Sequence, residues 1–284
     1  MNNWKKAVSL MVVSSLTAFA LVGCGSSNSK TSDPAPSNNG GDKAAVASAT
    51  LDAIKKRDKL VVGVKYDTNL FGLKDPGSGE VQGFDIDIAK ELAKTLVGDE
   101  KKIELKEVTS KTRIPMLDKG DIDLIIATMT ITDERKKQVN FSDIYYKAGQ
   151  SLLVKKGSDV KSVDDLKGKK VLTAKGSTSA QNIRKKSPDA EVLEFDNYAD
   201  AFTALKAGKG DALTTDNTIL LGMSLQDPNY VLTGGLFTDE PYGIAIKKDD
   251  QGMTDAVNKF LQDIKANGKY NEIYKKWFKE DPKN

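Results

Sequence analysis

The side chains able to do chemistry in this 284-residue chain are arginines, lysines, carboxylates and hydroxyls, because histidine is absent and cysteine occurs once, as Cys24. Ser-His-Asp and Cys-His catalysis are therefore excluded. Zinc, which takes His or Cys ligands, is not expected. No acidic run has EF-hand-like spacing, and neither a metal nor a cofactor is predicted. The remaining candidates fall at turning points of the chain. Lys65 follows the β-branched run Leu60–Val64, and Thr128 and Thr130 flank Met129 after the apolar run Leu124–Ala127. Arg113 opens one short helical segment, and Arg135 lies in the first turn of another that Thr132 caps. Ser177 and Thr178 precede a helix starting near Ser179, and Asp216 stands between the Ala212–Thr215 run and a helix. Ligands of open α/β sheets sit outside the carboxyl ends of the strands, and these residues occupy such ends. A guanidinium pairs bidentately with a carboxylate, and the free amides of a helix N-terminus favour an anion. Each residue also has a plainer reading: Arg135 and Arg113 as solvated cations at helix starts, Thr128 and Thr130 as ordinary strand-end threonines, and Asp216 and Thr178 as helix caps.

The elements that would position them alternate. Leu60–Val64, Ile103–Val108, Leu124–Ala127, Ser151–Val154, Lys170–Thr173, Glu191–Phe195, Ala212–Thr215 and Ile244–Ile246 read as strands. Phe84, Ile88, Leu92 and Leu96 recur every four residues on one helical face. Further helices are expected over Arg113–Leu117, Ser179–Lys185, Tyr198–Ala207, Asn217–Leu225, Met253–Ile264 and Tyr270–Phe278. This βα alternation predicts an α/β fold with mostly parallel sheets. The length of the alternating region suits two lobes better than one open sheet.

The N-terminus sets the compartment. Lys5 and Lys6 precede an uncharged, mostly apolar run from Ala7 to Val22. That run is short for a transmembrane helix, which needs roughly 17–25 residues, and matches the apolar region of a secretory signal peptide. Leu21-Val22-Gly23-Cys24 resembles the lipobox of bacterial lipoproteins. The resemblance implies that residues 1–23 are removed, that Cys24 is the lipid attachment site, and that the protein sits on the extracytoplasmic face of the cell membrane. Residues 24–50, rich in Ser, Asn, Gly, Pro and Ala, read as a flexible tether. The 43 Lys and Arg face 40 Asp and Glu; loss of residues 1–23 removes only Lys5 and Lys6, leaving 41 against 40. Such a near-neutral chain gives no basis for nucleic-acid binding.

Four ordered segments carry a family resemblance: Gly83-Phe84-Asp85-Ile86-Asp87-Ile88, Thr130-Ile131-Thr132-Asp133-Glu134-Arg135-Lys136-Lys137, Phe141-Ser142-Asp143-Ile144-Tyr145-Tyr146, and the terminal Tyr270–Phe278. Together they resemble the bacterial extracellular solute-binding proteins of family 3, which bind polar amino acids for ABC importers. The resemblance implies a type II periplasmic-binding-protein fold with a ligand cleft between two lobes. Residues 51–147 plus 242–284 would form lobe 1 and residues 150–241 lobe 2, with hinges at Lys147–Ser151 and Pro241–Gly243. It also implies a monomer that holds a free amino acid and delivers it to a permease. A zwitterionic ligand needs a cation for its α-carboxylate and an anion for its ammonium. By resemblance Arg135 takes the carboxylate with Thr128 and Thr130, and Asp216 takes the ammonium. Ser177 and Thr178 resemble the Gly-Ser-Thr of ionotropic glutamate receptor cores, which holds a distal carboxylate. Lys65 follows the first strand, and Lys111-Thr112-Arg113 resembles the segment by which aspartate- and glutamate-binding members supply an Arg to the side-chain carboxylate; Arg113 therefore predicts an acidic ligand, whereas the terminal helix is similar to glutamine-binding members. Phe71 and Tyr242 are expected as cleft walls. The competing readings on the same fold are a cyclohexadienyl-dehydratase-like enzyme, whose general acid or base would here have to be Glu or Asp and which the amino-acid clamp disfavours, and an amino-acid sensor domain, disfavoured by a chain that ends soon after Phe278.

Overall fold

The computed structural model describes residues 46–282, so the signal-peptide and lipobox assignments, and nearly all of the tether, lie outside the described residues. The described part opens with helix α1 (Ala49–Arg57), whose first turn is closed by the Ser48 hydroxyl accepting from Leu51 N. There follow β1 (Leu60–Val64), a small antiparallel meander of β2 (Asp67–Thr68), β3 (Gly72–Lys74) and β4 (Val81–Gln82), and then α2 (Phe84–Val97), β5 (Ile103–Glu107), α3 (Arg113–Lys119), β6 (Leu124–Ile125), α4 (Asp133–Lys136) and β7 (Val139–Ala148). The chain continues through β8 (Gln150–Lys155), β9 (Lys170–Ala174), α5 (Ser179–Lys186), β10 (Glu191–Phe195), α6 (Tyr198–Lys206), β11 (Ala212–Asp216), α7 (Asn217–Gln226) and β12 (Tyr230–Thr233). It closes with β13 (Glu240–Lys247), α8 (Gln251–Ala266) and α9 (Lys269–Phe278).

Two five-stranded sheets result, in the orders β5-β1-β6-β13-β7 and β10-β9-β11-β8-β12. Each forms the floor of one lobe. The chain passes from the first sheet to the second at Gly149, between β7 and β8, and returns between β12 and β13. The expectation of mostly parallel sheets needs correction. In each sheet the β5-β1-β6 or β10-β9-β11 half is parallel, and the other two ladders are antiparallel. The antiparallel ladders arise because the outgoing pass, β7 into β8, and the returning pass, β12 into β13, cross between the sheets in opposite directions.

The sequence reasons are local. All five residues of β1 are buried, as a strand flanked by parallel neighbours requires. The apolar stripe of α2 buries Phe84, Ile88, Ala89, Leu92 and Ala93, and Gly98 ends the helix in the left-handed conformation. Phe84, Phe71, Tyr146, Tyr242, Tyr274 and Phe278 pack as an aromatic cluster with ring centroids 4.7–6.1 Å apart in the contacting pairs. The cluster ties the terminal helix α9 to α2 and to the crossing strands β7 and β13. Among the described residues, the hydrophobic cores draw on residues between Leu51 and Phe278. The described residues also fall within a single compact unit, so this part of the chain contains what it needs to fold.

Candidate functional site

Three buried cations, Lys65, Arg113 and Arg135, and the buried carboxylates Asp85, Asp216 and Glu240 lie where the two sheets turn their strand ends toward each other. Lys65 leaves β1, Arg113 follows β5, and Thr128 and Thr130 follow β6. From the second sheet, Gly176–Thr178 follow β9, Tyr198 follows β10 and Asp216 ends β11. These are the carboxyl ends of all six parallel strands, the place where open α/β sheets bind ligands.

Arg135 is fixed from two sides. Thr132 caps its short helix by accepting from Arg135 N at 3.2 Å. Arg135 Nη1 donates to Thr130 O at 2.8 Å, and Nη2 donates to Gly176 O, on the opposite lobe, at 3.1 Å. Gly176 has φ +76°, and a Cβ there would lie 2.8 Å from backbone atoms of Lys111 and Ser110, so only glycine lets the lobes meet at this point. Arg113 Nη1 donates to Ala127 O at 2.7 Å, while its Nε is buried without a hydrogen-bond partner. Lys65 Nζ reaches Ser110 Oγ at 3.1 Å and stands 5.0 Å from the centroid of the Tyr198 ring. Asp216 accepts from Tyr242 Oη at 2.5 Å. Asp85 accepts from Thr128 N at 3.0 Å and from Tyr145 Oη at 2.9 Å. Thr128 holds φ +46°, a conformation that β-branched residues avoid and that clusters at functional sites.

Among the described residues, no ion pair joins any of the six charges to another. Burial displaces the proton affinities of five of them. Burial pulls Lys65 down to about 8, with the charges of Arg113 and Arg135 adding to the effect and Asp67 opposing it. Burial and then the neighbouring Arg135 pull Arg113 down to about 9. Burial lowers Arg135 as well, against the charges of Tyr198, Asp216 and Glu240. Burial raises Asp85 to about 7, against its two hydrogen bonds, and burial followed by Glu240 raises Asp216 to about 7. Buried charges without partners are costly. The arrangement suits a small ligand carrying both signs, with anionic groups for the cations and a cationic group for Asp216. Among the described residues, no cluster of metal-ligating side chains is present.

The other expected residues divide by position. Lys65, Arg113, Thr128, Thr130, Arg135 and Asp216 are brought together, each buried. Ser177 and Thr178 adjoin them, but their hydroxyls are engaged: Ser177 Oγ donates to Ala174 O at 2.7 Å and Thr178 Oγ1 to Glu240 Oε2 at 2.9 Å. Thr178 therefore does not cap α5 with its side chain. Asp216 occupies the cap position of α7 yet gives its carboxylate to Tyr242. Tyr242 is wholly buried between Tyr146 and Phe71 and acts on the site by holding Asp216. Phe71 is a core residue rather than a cleft wall, packed on Phe84, Tyr146, Tyr242 and Phe278. The aromatic that does stand among the charges is Tyr198, whose hydroxyl accepts from Thr215 Oγ1 at 2.9 Å. Its signal in the sequence was modest: a tyrosine directly after the helix-capping Asn197.

A model of the bacterial extracellular solute-binding proteins, family 3, matches residues 60–280. The chain belongs to this family. It is 61% identical over 279 residues to the ABC transporter glutamine-binding protein GlnH of Bacillus subtilis, covering 98% of this chain and 99% of that one. A glutamine-binding protein of Geobacillus stearothermophilus is 63% identical over 250 residues, covering 87% and 94% of the two chains. Among solved structures, an ancestral arginine-binding protein bound to glutamine matches with a TM-score of 0.74 at 47% identity, covering 78% of this chain and 99% of that one. The two-lobe type II architecture follows from this membership together with the paired sheets.

Proposed function

We propose that the chain is the solute-binding component of an ABC importer and that glutamine is its principal ligand. The observation that carries the reading is the set of buried, mutually unpaired charges gathered where the carboxyl ends of six strands from two lobes face each other. The names of the two relatives above 60% identity support glutamine. In this reading Arg135, aided by Thr128 and Thr130, pairs with the α-carboxylate. Asp216, held by Tyr242, pairs with the ammonium. Lys65, Arg113 and the Ser177–Thr178 turn surround the side chain, and Tyr198 packs against its alkyl part. Residues 51–147 plus 242–284 and residues 150–241 move as two bodies about Lys147–Ser151 and Pro241–Gly243, closing on the ligand. Cys24 carries the lipid that anchors a monomer outside the membrane, within reach of a permease. The site holds a ligand rather than transforming it: in this reading its cations and Asp216 are spent on the ligand, while Asp85 is engaged by Thr128 and Tyr145 and Glu240 by Thr178, Asn182 and Thr238.

A second reading, glutamate as the preferred ligand, is favoured by Lys65 and by the unpartnered Nε of Arg113. Calorimetry on protein stripped of carried-over ligand by unfolding and refolding, against all twenty amino acids, separates the two. Glutamine should bind most tightly. Glutamate binding more tightly would shift the assignment to the second reading. Binding by none of the twenty, or turnover of prephenate or arogenate, would overturn both.

A further inference from the structure

α7 carries a single glycine, Gly222, well inside the helix. Glycine in a helix interior is destabilising relative to alanine, and the three atoms nearest to a Cβ at this position all belong to Asn69, across the cleft. That Cβ would lie 2.8 Å from Asn69 O and 3.1 Å from Asn69 Cβ, closer than van der Waals contact allows. Asn69 stands in the turn between β2 and β3, on the first lobe, and its Nδ2 donates to Gly222 O at 3.0 Å. The turn is held rigidly. Asn69 Oδ1 accepts from Leu70 N at 2.9 Å, Leu70 O accepts from Phe84 N at 2.8 Å, and Leu70 keeps a left-handed φ of +73°. A leucine stays in that region only where its surroundings over-determine it. A second tie lies nearby, from Tyr198 N to Asp67 Oδ2 at 2.8 Å. Neither Asn69 nor Gly222 is among the residues assigned to the ligand.

We propose that the Asn69–Gly222 contact is a latch between the lobes: the glycine is retained in α7 so that a rigid turn of the first lobe can seat against the helix, and the contact sets how firmly the closed state holds its ligand. The inference rests on the ligand-driven closure of the functional reading. Because the latch forms after the ligand has entered, it acts on release more than on capture.

Gly222→Ala separates this role from a purely structural one, because the two predict opposite signs. In residues 45–284 without ligand, the alanine strengthens α7, so the thermal midpoint should stay level or rise by about 2–4 °C. Glutamine affinity should fall at least tenfold, mostly through faster dissociation, and scattering at saturating glutamine should show incomplete compaction. Asn69→Ala, which removes one hydrogen bond and adds no bulk, should weaken glutamine binding by about threefold to tenfold. Gly222→Ala with wild-type affinity and full compaction would overturn the latch, as would an affinity loss matched by a lower ligand-free midpoint. If the wild type itself binds no amino acid, the functional reading fails; a wild type that binds glutamine and compacts, with Gly222→Ala doing both equally, overturns the latch alone.

Discussion

Asp216→Asn should move ligand binding and ligand-free stability in opposite directions. Asp216 is 4% exposed, the direct partner of its carboxylate is the Tyr242 hydroxyl at 2.5 Å, and burial raises its pKa from 3.8 to about 7. Between those two values the folded chain keeps a proton that the unfolded chain has lost. Stability therefore falls as pH rises through this window, by up to about 1.4 kcal/mol per pH unit for this group. Over the whole window the loss is on the order of 4 kcal/mol. Asparagine has no proton to lose. At pH 8 the ligand-free variant should be more stable than the wild type by roughly 1–4 kcal/mol, after allowance for a weaker bond to Tyr242. Asp85, also raised to about 7, keeps its own share of the pH dependence in both proteins. Binding runs the other way, because the ammonium of glutamine loses its counter-charge. Removing one member of a desolvated charge pair costs about 2–5 kcal/mol, roughly a 30-fold to several-thousand-fold loss of affinity. Wild-type affinity should also weaken below pH 7, where glutamine must displace a proton from Asp216, by up to about tenfold per pH unit. Urea unfolding without ligand and calorimetry with glutamine at pH 5.5, 7 and 8.5 measure both effects. A folded Asp216→Asn protein binding within threefold of the wild type at pH 8 would refute the reasoning.

Arg113→Gln should reduce affinity for glutamate relative to glutamine by about tenfold, the difference between a charge-assisted and a neutral hydrogen bond; competition binding reads the ratio, and an unchanged ratio would place Arg113 away from the ligand's side chain. Cys24→Ser should release the protein from the membrane and abolish incorporation of labelled fatty acid; retention would remove the lipid-anchor assignment. Saturating glutamine should reduce the radius of gyration of residues 45–284 in solution, and a profile identical with and without it would argue for a rigid module.

Much of the architecture was legible because it rests on local pattern. The apolar run of β1 and the four-residue recurrence of α2 follow from burial on two faces and on one stripe. The strand Val139–Ala148 has no single local pattern, because it changes role along its length. Its first part lies in the sheet, its last part crosses between lobes, and its burial alternates irregularly around bulges against β13. The β2–β3–β4 meander is not legible in the sequence, because strands of two or three residues carry no measurable period. In the site, Lys65, Arg113, Arg135 and Asp216 stood out as charged residues at strand ends and helix starts. Asp85 did not, since an acid in the first turn of a helix ordinarily faces solvent; here it turns inward to Thr128 and Tyr145. Phe71 read as a cleft wall, and it belongs to an aromatic cluster assembled from segments some two hundred residues apart, a contact that no local pattern reveals.

The most direct measurement is a crystal structure of residues 45–284 grown with L-glutamine. The account predicts one glutamine enclosed between the lobes, its α-carboxylate against Arg135, its ammonium against Asp216 and its side chain toward Lys65 and Arg113. Glutamine bound instead in an outer groove, such as that of about 750 Å³ lined by Ile131, Asn140, Phe141 and Gln251, or a cleft left empty at saturating glutamine, would contradict it.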